Sequence, residues 1–111
     1  MNVYDKAHEL AKALKECPEV AEVKSMMTLI NADAESKQML DDFRLRQTQM
    51  QQKMMSGEMP DQEEMEKMEK LFDVLQMIPN ISKLFDAERR LSVIIEDVNK
   101  IVLQNLEFLY Q

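Results

Sequence analysis

Glycine occurs once in this chain, proline three times, cysteine and histidine once each, and tryptophan not at all. So little glycine and proline leaves almost no punctuation for the turns of a β-protein and favours long helices. One glycine also rules out a glycine-rich phosphate loop. The single cysteine, Cys17, excludes an intrachain disulfide and fits a reducing compartment. A lone histidine cannot supply a histidine-based metal or nucleophile site. In His8-Glu9-Leu10-Ala11-Lys12 a lysine stands where a zinc-protease helix needs its second histidine, so His8 reads as a surface residue. No run approaches the roughly 18 apolar residues of a membrane span. The start, MNVYDKAHELAKALKE, is charged throughout and lacks the uninterrupted apolar region of a secretory signal. These absences predict a cytoplasmic protein with no catalytic set, no metal and no cofactor.

What remains is aliphatic, sulfur-rich and acidic. The 111 residues fit one domain, 1–111, with a modest core. Hydrophobic residues make up 45%, but only four Phe and two Tyr are among them, whereas Met occurs 11 times. A net charge of −7 repels phosphate backbones and argues against direct nucleic-acid binding.

Periodicity organises the chain into about five helices. Val3, Ala7, Leu10, Leu14 and Cys17 recur at four- and three-residue spacing and end before Pro18. Val20, Val23, Met27 and Ile30 mark a second, shorter helix. Asp33 suits the N-cap of a third, from about Ala34 to Met55, with Leu40, Phe43, Gln47, Met50 and Met54 along its seam. Residues 56–61, SGEMPD, form the one clear turn cluster, and Met65, Met68, Phe72 and Leu75 pattern a fourth helix folded back as an antiparallel hairpin. Pro79 breaks or kinks the pattern and can also open a last helix, whose heptad of Leu84, Ala87, Leu91, Ile94, Val98, Ile101, Asn105 and Phe108 reads on to Leu109. Ile81, Ile95, Val102 and Leu109 widen that face beyond a simple coiled-coil seam, as in a bundle. A helix of ~30 residues is ~45 Å long, whereas a compact chain of this size is only ~35 Å across. The expectation is an elongated all-α bundle whose overhanging face, through Leu91, Ile94, Val98, Ile101 and Val102, is covered by a second copy.

Six methionines, Met50, Met54, Met55, Met59, Met65 and Met68, crowd the polar stretch QMQQKMMSGEMPDQEEMEKMEK. Thioethers bind Cu(I), but helical spacing favours packing: Met50, Met54, Met65 and Met68 as hairpin core. Met55 and Met59 fall off the seam near the tip and are the candidates for docking a partner, because methionine adapts to irregular surfaces. The acidic run Asp61-Gln62-Glu63-Glu64-Met65-Glu66 lacks the histidines of a di-iron bundle. Acids in a first helical turn with Glu63 four residues before Lys67 describe a solvated helix start. Arg89 and Arg90, following Asp86 and Glu88, read as a local surface network. Asn105 either fixes register on a buried seam or sits at a frayed end.

With this layout in place, the chain resembles the YlbF/YmcA family of small helical proteins from Gram-positive bacteria, and in particular its YheA-like branch. The stretches that carry the likeness are NVYDKAHELAKALKE, EVAEVKSMMTLINADAESKQMLDDFRLRQTQMQ and IPNISKLFDAERRLSVIIEDVNKIVLQNL, with an AE…L…VN…I layout at the end. The resemblance implies an all-α fold of long helices, assembly as homo- or hetero-oligomers, and no catalysis. It also implies accessory work with sibling subunits on the endoribonuclease RNase Y, and thereby effects on mRNA maturation, competence, sporulation and biofilm formation. Some relatives carry cysteines linked to iron–sulfur clusters; here the closing NLEFLYQ has none, which argues against a cluster. The resulting expectation is a non-catalytic adaptor, homodimeric or larger. The alternative is a small holdase-like chaperone that uses the methionine-rich hairpin as an adaptable clamp.

Overall fold

A computed structural model describes residues 2–110. Helix α1, Val3–Lys15, begins where Asn2 Oδ1 accepts the Tyr4 N–H at 2.8 Å, and it places Lys12 and Lys15 in its last turn, at the negative end of the helix dipole. Helix α2, Pro18–Asn31, has proline at its first position, where the missing N–H costs nothing; starting there, it has 14 residues and is not shorter than the 13 of α1. Helix α3 spans Ala34–Met55, α4 Gln62–Gln76 and α5 Pro79–Gln104, followed by a 3-10 helix at Glu107–Tyr110. No strand occurs among the described residues. The all-α class, the five helices, the hairpin and the long C-terminal helix are as the periodicity predicts.

The chain groups into two compact units, Met26–Lys83 and the described residues on either side of it. In the first, Ile30, Leu40, Phe43, Leu75 and Ile81 are the buried apolar side chains. Helices α3 and α4 pack together here, with the rings of Phe43 and Phe72 stacked at 5.9 Å between centroids. Asp33 occupies the N-cap of α3 but makes no side-chain bond to a backbone N–H. Its carboxylate instead accepts the hydroxyl of buried Ser36 at 2.7 Å, which satisfies that polar group.

In the second unit Leu84 and Ala87 are buried, and Leu10, Leu14, Cys17, Leu91, Ile94 and Val98 are half-buried. The heptad reads as a helix to Leu109, yet the α-helix stops at Gln104. Asn105 and Leu106 turn, and i to i+3 bonds from the N–H groups of Leu106 and Leu109 to the carbonyls of Leu103 and Leu106 tighten the end. Asparagine competes for backbone hydrogen bonds, and the side chains here are exposed, so packing does not hold a regular helix. Asn105 is exposed at this end and not on a buried seam.

Candidate functional site

Two regions, one in each unit, concentrate the exposed apolar side chains. The first is the hairpin end. Helix α3 closes with Ser56 as C-cap and Gly57 at φ +88°, a left-handed conformation that only glycine takes without strain. The N–H groups of Gly57 and Glu58 donate to the carbonyls of Met54 and Lys53, the paired bonds of a Schellman motif. Helix α4 opens on Asp61, whose Oδ1 accepts the Glu64 N–H at 2.8 Å. The two helices are then tied by Lys53 Nζ, 2.7 Å from Glu64 Oε1. The hydrogen bond and charge of Glu64, with Asp61 and Glu58 adding to them, hold the Lys53 ammonium above its ordinary pKa. The turn is thus pinned at a glycine, a cap and an ion pair.

Around that pinned turn the methionines divide. Met55 and Met59 are 81% and 84% exposed, as their positions off the seam predict. Met54 and Met65, expected in the hairpin core, are instead 58% and 55% exposed. Nearer the other end of the pair Phe43 stacks on Phe72 and Leu75 is buried, so burial falls off toward the turn. Met50 and Met68 are half-buried and line a groove of about 180 Å³ with Arg46, Lys53, Glu64 and Lys67. Glu63 and Lys67 approach at 3.7 Å, the helix-surface pair that their spacing predicts.

The second region is the end of α5 and the residues after it. Of the five side chains expected at an oligomer interface, Leu91, Ile94 and Val98 are half-buried within the chain, whereas Ile101 and Val102 are exposed. Leu103, Leu106, Phe108, Leu109 and Tyr110 are exposed beside them. Leu103, Leu106 and Tyr110 lie off the heptad, so periodicity passes over them; the apolar density of IVLQNLEFLY was the available signal.

Arg90 does more than a local network requires. Its Nη2 lies 2.7 Å from Glu22 Oε2 on α2, while its Nε holds Asp86 at 3.1 Å and Arg89 Nη2 holds the other Asp86 oxygen at 2.8 Å. Hydrogen bonds from Arg89 and Arg90 keep the Asp86 carboxyl below the usual range, and Glu22 with Asp86 raises Arg90. His8 is exposed and Cys17 half-buried. Among the described residues no three His, Cys, Asp or Glu side chains group as a metal site, and no helix is long and apolar enough to cross a membrane.

The comparisons agree with this architecture. Residues 3–107 match the model of a family described as control of competence regulator ComK, YlbF/YmcA. A UPF0342 protein of Alkalihalophilus pseudofirmus is 50% identical over 109 residues, covering 98% of this chain and 92% of that one. One from Shouchella clausii is 45% identical, with the same coverages. Among solved structures, yheA from Bacillus subtilis is 32% identical and superposes with a TM-score of 0.74 over 99% of this chain and all of that one. A protein of unknown function (DUF964) from Bacillus stearothermophilus, 22% identical, shares the fold at a TM-score of 0.89, covering 98% and 96%. Long helices in this order, matched along almost the whole chain, place it in the YlbF/YmcA family, on the branch that includes YheA.

Proposed function

We propose that this protein is a non-catalytic, cytoplasmic helical adaptor that assembles with itself through the end of α5 and presents the hairpin end to a partner protein. The observation that carries the reading is the exposed apolar run Ile101, Val102, Leu103, Leu106, Phe108, Leu109 and Tyr110, whose members are between 44% and 87% accessible. An aromatic residue offers about 150–250 Å², so these side chains together approach the order of the ~800 Å² each partner contributes to a standard interface. Monomers rarely expose large contiguous apolar patches, and seven exposed apolar side chains within residues 101–110 are the material for one. The stretch from Val98 onward holds only Lys100 and Glu107 as charged residues, so two copies would meet there without the repulsion that the net −7 imposes elsewhere.

The family's link to control of ComK favours a regulatory role. Sibling subunits and RNase Y are the partners to test first. Val98→Glu and the more exposed Ile101→Glu are expected to lower the solution mass while the helical spectrum persists; unchanged mass in the folded variants would refute self-assembly. A tagged pull-down from a Gram-positive host extract, with Met55→Glu/Met59→Glu as control, tests the adaptor role. Recovery of RNase Y or sibling subunits that the control loses supports it.

The exposed methionines favour one second reading, a holdase. It predicts suppression of aggregation for unrelated clients, which an adaptor has no need to perform.

A further inference from the structure

The hairpin end combines two properties on one short stretch. From Lys53 to Lys67 it carries Met54, Met55, Met59 and Met65, each more than half exposed. Interleaved with them are Glu58, Asp61, Glu63, Glu64 and Glu66, five acids against the two lysines. The lysines are themselves engaged, Lys53 by Glu64 at 2.7 Å and Lys67 by Glu63 at 3.7 Å, so the outward field of the turn is negative. The methionine surface sits on a turn fixed by Gly57, the Asp61 cap and the Lys53–Glu64 pair, so docking does not first have to order it.

Unbranched thioethers accommodate apolar side chains of varied shape. Surrounding carboxylates select the charge of whatever carries those side chains. We propose that the hairpin end docks a basic amphipathic helix of a partner protein, its apolar face on Met55 and Met59, the most exposed methionines of the turn, and its Lys or Arg side chains toward Glu58 and Glu66. This is the helix-recognition mode in which apolar anchors at helical spacing give affinity, with charge giving on-rate and specificity. It rests on the reading of the hairpin end as a docking surface and adds the chemistry of the occupant.

The test uses the full chain and two synthetic peptides with the same leucine face, one with a lysine-rich and one with a glutamate-rich polar face. Binding is followed by fluorescence anisotropy at low and high salt. The basic peptide is expected to bind at least about tenfold more tightly than the acidic one, and to weaken as salt rises. Met55→Glu/Met59→Glu and Glu58→Lys/Glu66→Lys should each reduce its affinity about tenfold or more. Asp5→Lys/Glu9→Lys on α1, which makes the same change in net charge elsewhere, should leave most of the affinity intact. Equal binding of both peptides, or an equal loss in the α1 variant, would overturn the proposal. If the native partner of the pull-down is still lost with Met55→Glu/Met59→Glu, the docking surface stands and only its selection of a basic helix falls.

Discussion

Arg90 on α5 holds Glu22 on α2 at 2.7 Å, across 68 residues of sequence, while the same guanidinium keeps Asp86 one turn away at 3.1 Å. A planar fork can serve two carboxylates in this way, whereas a lysine ammonium is a single point charge. Arg90→Lys is therefore expected to lower the thermal midpoint, and Arg90→Glu to lower it further by facing Glu22 and Asp86 with a like charge. A double-mutant cycle between Glu22→Gln and Arg90→Gln, followed by circular dichroism, should show coupling. Strict additivity would mean that the pair contributes nothing to the fold.

The same cluster sets an acid-side pH dependence. Arg89 and Arg90 hold the Asp86 carboxyl below its unfolded value. A lowered carboxylate pKa contributes stability that is present above the unfolded value and lost as pH falls through the folded one. Asp86→Asn should accordingly flatten part of the fall in thermal midpoint below about pH 4, and change its slope little between neutrality and pH 6. Parallel pH profiles for the two proteins would count against the assignment.

Truncation should separate the core from the exposed face. Leu40 is 1% exposed, and Leu40→Ala is expected to destabilise by about 2–5 kcal/mol in urea titrations. Leu103 is 58% exposed, so Leu103→Ala should leave a dilute monomer within about 0.5 kcal/mol of the parent. If α5 pairs two copies, however, the same change should make the midpoint less dependent on protein concentration.

Gly57 gives a prediction of a different kind. A Cβ built there meets nothing within 4 Å, so space is not what restricts the position. Its φ of +88° is. Gly57→Ala should cost about 1–2 kcal/mol through backbone strain alone, and Gly57→Asn less, since asparagine tolerates this region better. A chemical-denaturation series across Gly, Asn and Ala checks the order.

Helix order and type were legible because apolar spacing survives folding. Pro79 opens a helix where proline suits the first position, and the third helix keeps the bounds its pattern implies; Pro18, read only as the end of the first helix, also opens the second. Exposure was less legible. Met54 and Met65 sit on the seam by spacing yet stay half in water, because periodicity gives the direction of a side chain and not the distance to the opposite helix. The end of α5 misleads for a related reason: a heptad says which residues share a face and not whether packing holds the helix there, and the side chains from Ile101 onward are exposed. The Arg90–Glu22 contact had no sequence signature at all, since its partner lies on another helix and any nearby acid fits the pattern as well.

The accessibility of the hairpin methionines carries one consequence for life in an oxidising burst. A thioether attacked by peroxide becomes a sulfoxide, with water released, and the change can be reversed enzymatically. Met59 and Met55, 84% and 81% exposed, would be reached before half-buried Met50 and Met68. The turn would then exchange oily sulfur for polar, chiral sulfoxide while the helices beneath it, held at Phe43 and Leu75, stayed folded. Exposure alone would therefore confine the first chemical change to the turn and spare the packed end of the hairpin.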